Sequence, residues 1–168
     1  ALCQKTAPDG SIDKIFVDEL GREAYFRGWN VSGAAKHVEK GFKPFRNTDD
    51  AELSFDLLGQ KTGSNMVRFL IHWEGVHPDP DVIDYAYLDQ VIAQMKKAIE
   101  RKIYLLIDYH EDLFSRHLFN QNSWHTGNGA PDWVTPDSPD EYCGLICASW
   151  SQHNLTDEAV RMAFRNFW

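Results

Sequence analysis

Two short apolar runs separated by a long amphipathic segment constrain this chain more than any other feature. Residues 65–71 read Asn-Met-Val-Arg-Phe-Leu-Ile, and residues 103–107 read Ile-Tyr-Leu-Leu-Ile. A near-continuous apolar run of that length fits a strand covered on both faces, as in a parallel sheet. Between them, residues 84–101 place Leu88, Val91, Ile92, Met95 and Ile99 at helical spacing, which predicts an amphipathic helix. Pro78, Asp79 and Pro80 mark the loop before it. The same alternation begins earlier. Residues 49–61 carry Leu53, Leu57 and Leu58 at helical spacing, with Thr48 as the expected N-cap and Gly63 as the stop. Strand, helix, strand, helix, strand is the order of an α/β fold built on a parallel sheet.

The flanks read differently. The first ten residues, with Pro8, Asp9 and Gly10, are expected to form a tail. Residues 15–18 and 24–29 are short apolar runs around Glu19-Leu20-Gly21-Arg22, which predicts a leading β-hairpin turning at Gly21. Residues 109–154 are polar and rich in Gly, Pro, Asn and His, the composition of a long functional loop. Thr156 is the expected N-cap of a last helix over residues 157–168, with Ala159, Met162, Ala163, Phe164 and Phe167 apolar.

Composition excludes several classes. The 168 residues fit one domain, and an aromatic content of 13% argues against disorder. Acidic residues outnumber basic ones, 25 to 17, and no basic cluster occurs, so nucleic acid is not an expected partner. No run approaches the ~18 apolar residues of a membrane helix. The opening Ala-Leu-Cys-Gln lacks the basic start and long apolar stretch of a signal peptide. It is open to two readings, a mature end left by cleavage or a boundary set in preparing the chain. Cys3, Cys143 and Cys147 are too few for a disulfide-built scaffold, although Cys143 and Cys147 are close enough in sequence for a local bridge.

The chemistry-bearing residues gather after the second apolar run. Asp108-Tyr109-His110-Glu111-Asp112 places Asp108, His110 and Asp112 on one side of an extended chain. Titratable groups at the C-terminal ends of parallel strands can tune one another and orient a polar substrate. The same stretch also fits the start of a solvated polar loop. His110 and Asp112 have no further ligands spaced for a metal, and no zinc-protease pair, phosphate loop or nucleophile elbow occurs, so no cofactor is expected. Arg68 interrupts an apolar strand, which calls for a carboxylate partner or an edge position with the head group in water. Trp133 follows Gly127-Asn128-Gly129-Ala130-Pro131 and suits either a sugar-stacking platform or a cover for a core edge. Trp73 and Trp124 carry the same two readings. Asn30-Val31-Ser32 and Asn154-Leu155-Thr156 match the short glycosylation pattern, and Asn30, at a strand end, fits a site or structural role better.

Taken in order, five blocks carry a resemblance. They are Arg27-Gly28-Trp29-Asn30 with Lys36 downstream, residues 65–73, residues 108–112, residues 127–133 and the closing residues 162–168. Together they resemble the N-terminal part of an endoglycoceramidase-type family 5 glycoside hydrolase of clan A, over residues 26–168. The Arg-Phe-Leu-Ile and Asp-x-His-x-Asp blocks resemble family 5 broadly, and the Gly-Asn-Gly-Ala-Pro loop and Phe-Trp end resemble the endoglycoceramidase branch.

The resemblance implies a fold and a reaction. The fold is the N-terminal portion of a (β/α)8 TIM barrel, with about three β/α units plus the leading β-hairpin, all of residues 1–168 being part of one catalytic domain. The reaction is retaining hydrolysis of the β-glycosidic bond between sugar and ceramide in glycosphingolipids. One Glu serves as acid/base and one as nucleophile, ~5 Å apart. The resemblance puts those glutamates after strands four and seven, so no catalytic residue is assigned in this chain. Glu111 and Glu74 are not at matching positions, and the chain alone is expected to be inactive. Lys36, His110, Asp112 and Trp133 match sugar-contacting positions, Arg68 matches the residue that supports the nucleophile, and Asn30 belongs with that support. A barrel needs roughly 250 residues, so the remainder is expected on a second chain or to be missing. Implied partners are a glycolipid or β-glycoside substrate and transient contact with a membrane surface, in a secreted or periplasmic setting. The rival readings are a family 5 enzyme of other β-glucosides or β-glucans, and a non-catalytic carbohydrate- or glycolipid-binding module.

Overall fold

The structure is a computed structural model that describes residues 1–117, 127–135 and 156–167. Cys143, Cys147, Trp124, Asn154 and Trp168 lie outside the described residues. The elements, in order, are β1 (Leu2–Thr6), β2 (Ile12–Phe16), β3 (Gly28–Val31), α1 (Thr48–Leu57), β4 (Met66–His72), the short α2 (Trp73–Val76), α3 (Tyr85–Glu100), β5 (Tyr104–His110) and α4 (Glu158–Ala163). Single-turn 3-10 helices cover Val38–Lys40, Asp132–Val134 and Phe164–Phe167.

The three central strands form a parallel sheet in the order β3-β4-β5. Parallel neighbours need long crossovers, and α1 and α3 supply them. Gly28 sits directly opposite Met66, and a Cβ there would lie 1.6 Å from the Met66 carbonyl oxygen, so only glycine allows β3 to reach β4. On one face of β4, Val67, Phe69 and Ile71 pack against Ala51 and Phe55 of α1 and Tyr87, Val91, Met95 and Ala98 of α3. Alternation turns Arg68 and His72 to the opposite face. The helices are tied by Arg101, whose Nε lies 2.6 Å from Asp56 and whose Nη2 lies 2.8 Å from Glu52. A second core joins Trp73, Phe114, Ala130, Val134, Val160 and Ala163 above the strand ends.

Several expectations from the sequence are corrected. The opening residues are not a tail: they form β1, paired antiparallel with β2 through a turn at residues 7–11. The leading hairpin therefore exists, but over residues 2–16. The second turn, at Asp18–Arg22, is closed by Asp18 and an isolated Val17–Glu23 bridge, and the chain after it enters β3 of the parallel sheet. The N-cap of α1 is Asn47, whose side chain accepts from the Asp50 amide, one position before Thr48. Likewise Asp157, and not Thr156, caps α4.

The buried stripe of α1 is Ala51 and Phe55, and Leu53 is 62% exposed. In α3 the buried stripe is Tyr87, Val91, Gln94, Met95 and Ala98, while Ile99 is 60% exposed. Leucine and isoleucine count towards an apolar stripe wherever they fall, so periodicity alone favoured them over the Ala, Gln and Tyr that face β4. Gln94 is inside because its amide accepts from the Phe45 N–H and donates to the Phe45 carbonyl. The third strand runs past the expected end at Asp108, so Tyr109 and His110 belong to it and not to the following loop.

Candidate functional site

The expected polar residues converge at the C-terminal ends of the parallel strands. Lys36 lies on the segment after β3, Arg68 on β4, Asp108 and His110 on β5, and Asp112 just beyond it. Lys36 Nζ forms an ion pair with Asp112 Oδ2, across 76 residues of sequence. Asp112 Oδ2 is also 3.2 Å from His110 Nε2 and accepts from Asn128 Nδ2 at 3.1 Å. The other imidazole nitrogen, His110 Nδ1, is 2.9 Å from Asp108 Oδ2. Asp108 Oδ2 in turn lies 2.8 Å from Arg68 Nη2. The result is a continuous polar chain, Lys36–Asp112–His110–Asp108–Arg68, in which Arg68 Nη2 also lies 3.3 Å from His110 Nδ1. The Arg68–Asp108 contact is an ion pair without the alignment of a hydrogen bond, which leaves the guanidinium with donor capacity to spare.

Electrostatics follow from that arrangement. Burial works to raise the pKa of Asp112, but the hydrogen bonds from Lys36 and Asn128 and the nearby charges outweigh it and bring the group down to about 2. Asp112 is therefore an ionised acceptor at any ordinary pH, with a partly open side chain, the form that makes charge-assisted bonds to hydroxyl groups. Below it lies His72, the register partner of His110 on β4. Its ring is fully buried, meets His110 edge-to-face at 5.8 Å and lies 6.1 Å from Phe42. Burial, with His110 and Lys36 adding to it, pushes His72 down to about 4 and keeps it neutral.

Asn30 and Trp133 differ from the other expected residues. Asn30 is exposed and is the register partner of Arg68, so it borders the cluster from the β3 side. Trp133 packs elsewhere: its Nε1 donates to the His77 carbonyl at 3.1 Å, and its ring lies 4.8 Å from His77 and edge-on to Trp73. Trp73 is itself core, which settles its reading as a cover and not as a platform. Glu111 turns away from the cluster, and its Oε2 accepts from the Phe114 amide.

Residues that the sequence did not single out complete the site. Asn128 holds Asp112 both through its side chain and through a backbone bridge, and its tight Gly127-Asn128-Gly129 setting was the available signal. His72 and the Glu74–Arg116–His117 group carried no such signal, because their partners are distant in sequence or lie across strands. No group of three or more His, Cys, Asp or Glu placed to hold a metal occurs among the described residues. No helix among them is long and apolar enough to cross a membrane.

Comparison with known proteins adds independent information. The profile of the cellulase family, glycosyl hydrolase family 5, matches residues 18–144. An endoglycoceramidase of Cyanea nozakii is 28% identical over 165 residues, covering 90% of this chain and 32% of the relative. A glucosylceramidase of Aspergillus fumigatus is 31% identical over 141 residues, covering 72% of this chain and 17% of the relative. Among solved structures, the ganglioside GM3 complex of endo-glycoceramidase II from Rhodococcus sp. superposes with a TM-score of 0.65 at 32% identity, covering 92% of this chain and 34% of that one. The chain thus spans about a third or less of the length of these relatives.

Proposed function

The chain belongs to glycosyl hydrolase family 5, and from that membership we propose that it supplies the sugar-binding floor of a retaining glycosidase acting on glycosphingolipids, cleaving between sugar and ceramide. The observation that carries the reading is the polar chain from Lys36 to Arg68, gathered where parallel strands end. That is where β/α barrels place their ligands.

In this reading Asp112 accepts hydrogen bonds from sugar hydroxyls while Lys36 and His110 fix its orientation and add donors. Charge-assisted bonds of this kind help the rate to the extent that they tighten in the transition state. Arg68, tied to Asp108, presents its remaining donors towards the position of the nucleophile and favours its ionised form. Asn30 borders the same space, and Trp133, half-buried beside His77, adds an aromatic contact for the sugar.

Neither catalytic glutamate lies in this chain, so residues 1–168 alone are inactive. A further polypeptide segment, on the same or a second chain, completes the barrel and brings both. The exposed faces of β5, where Tyr104, Leu106 and Ile107 are each at least half exposed, support such a covering neighbour. The setting is secreted or periplasmic, with transient contact at a membrane surface where the glycolipid resides.

The test pairs mass measurement with activity. Native and denatured masses show whether a second polypeptide accompanies the chain. The protein with a complete barrel is then given glucosylceramide, a longer glycosphingolipid and a soluble β-glucan. Release of sugar from the glycolipids is expected. Cleavage of the β-glucan alone replaces the ceramide reading with a glucanase, the substrate class that the family description favours. Sugar binding without cleavage by a complete barrel replaces it with a binding module.

A further inference from the structure

We propose that Glu74 is a positioning residue for Asp112, acting through the two loops that cover the ends of β4 and β5; the proposal rests on the reading of Asp112 as a sugar-binding carboxylate. Three segments meet above the sheet: the turn after β4, residues 111–117 after β5, and residues 127–135. Glu74 touches both of the others. Its backbone N–H donates to the Gly129 carbonyl at 2.7 Å. Its carboxylate, only 10% exposed, accepts from Arg116 through Nε at 2.9 Å and Nη2 at 2.7 Å, and lies 3.0 Å from His117 Nε2. His117 Nδ1 faces Asp132 at 3.3 Å, which closes a ring of polar contacts joining the three segments.

The consequence for the site lies in what those loops hold. Asp112 and Asn128 exchange backbone hydrogen bonds at 3.0 and 2.8 Å, and Asn128 Nδ2 reaches the Asp112 carboxylate. Ser115 ties the loops again by donating to the Ala130 carbonyl at 2.7 Å. Asp112 Oδ2 is therefore held by Lys36 from the segment after β3, by His110 of β5 and by Asn128 from the loop, and Glu74 anchors the loop. A bidentate fork to a nearly buried carboxylate is geometrically specific, and removing the charge costs Arg116, itself about a third exposed, the second arm of that fork. The contacts of Glu74 run to Gly129, Arg116 and His117 and not to Asp112, so Glu74 acts through position alone.

The test is a double-mutant cycle in the complete enzyme, read together with hydrogen exchange. In Glu74→Gln, exchange at the Asn128 and Asp112 amides is expected to quicken by about ten-fold or more while the Phe69 amide of β4 is unchanged. KM for the glycolipid should rise by about five-fold with kcat within about two-fold. In an Asp112→Asn background, Glu74→Gln should change KM by less than about two-fold, because its route to substrate is already cut. Unchanged protection at Asn128 and Asp112 overturns the proposal, and so do KM effects that multiply. Where Glu74→Gln does not fold, Arg116→Lys, which keeps the charge and loses the fork, carries the same readouts. A silent Asp112→Asn contradicts the sugar-floor reading instead, and the exchange measurement still decides whether Glu74 holds the loop.

Discussion

Arg68 and Asp108 face each other across the parallel strands β4 and β5, with Nη2 2.8 Å from Oδ2. This pairing explains how an arginine persists inside an apolar strand. It also links the sheet to the site, since the same Asp108 oxygen lies against His110. Arg68→Met is expected to destabilise the protein by about 1–3 kcal/mol, because Asp108 then keeps its burial and loses its cation. Arg68→Met with Asp108→Asn should recover part of that loss. Chemical denaturation of the three proteins checks both.

Asp112 titrates with a known sign. Its folded-state value, about 2, lies below the ordinary aspartate value near 4, so its contribution to stability is present above about pH 4 and is lost as pH falls through about 2. Lys36→Met removes the main opposing influence on burial and should move the Asp112 carboxyl back up towards the ordinary range. Carboxyl NMR titration of the wild type and the variant reads the shift. An unmoved midpoint would refute the role given to Lys36.

His72 produces a second acid dependence, at higher pH. Its folded value of about 4 is depressed from 6.5, so the unfolded chain takes up the proton first. Its contribution is complete above about pH 6.5 and falls away towards pH 4, by on the order of 3 kcal/mol. His72→Gln should flatten the stability curve across that window, whatever it does to stability at neutral pH. Denaturation midpoints between pH 4 and 7 provide the check.

Gly28→Ala tests the sheet itself. With a Cβ 1.6 Å from the Met66 carbonyl oxygen, β3 cannot keep its register with β4. A loss of about 3 kcal/mol or more is expected, on the scale of overpacking and a broken ladder together. Faster amide exchange at Val31 than at Ile71 would place the damage in β3.

Much of the fold was legible because parallel strands and their crossovers have distinct periods. The runs at residues 65–71 and 103–107 and the helical repeat between them lead directly to β4, α3 and β5. What periodicity could not resolve was which apolar residues face inward. Gln94 is buried by its bonds to the Phe45 backbone, and Ile99 is left exposed. Residues 2–6 were unreadable as a strand because all of them are exposed, so β1 rests on pairing and not on burial. At the site, Asp108, His110 and Asp112 were legible through strand alternation, and Arg68 through its isolation among apolar neighbours. Asn128 and Glu74 were not, because what matters there is contact between loops distant in sequence. Trp133 was legible as a loop aromatic, while its packing on His77 and Trp73 was not.

The most direct measurement is glycosphingolipid hydrolysis by the protein with its complete barrel, comparing wild type with Asp112→Asn. Loss of one charge-assisted contact to the sugar should lower kcat/KM by about 10- to 100-fold, while residues 1–168 alone release nothing. Full activity in Asp112→Asn, or turnover by residues 1–168 alone, would contradict the assignment of this chain as the sugar-binding floor of the enzyme.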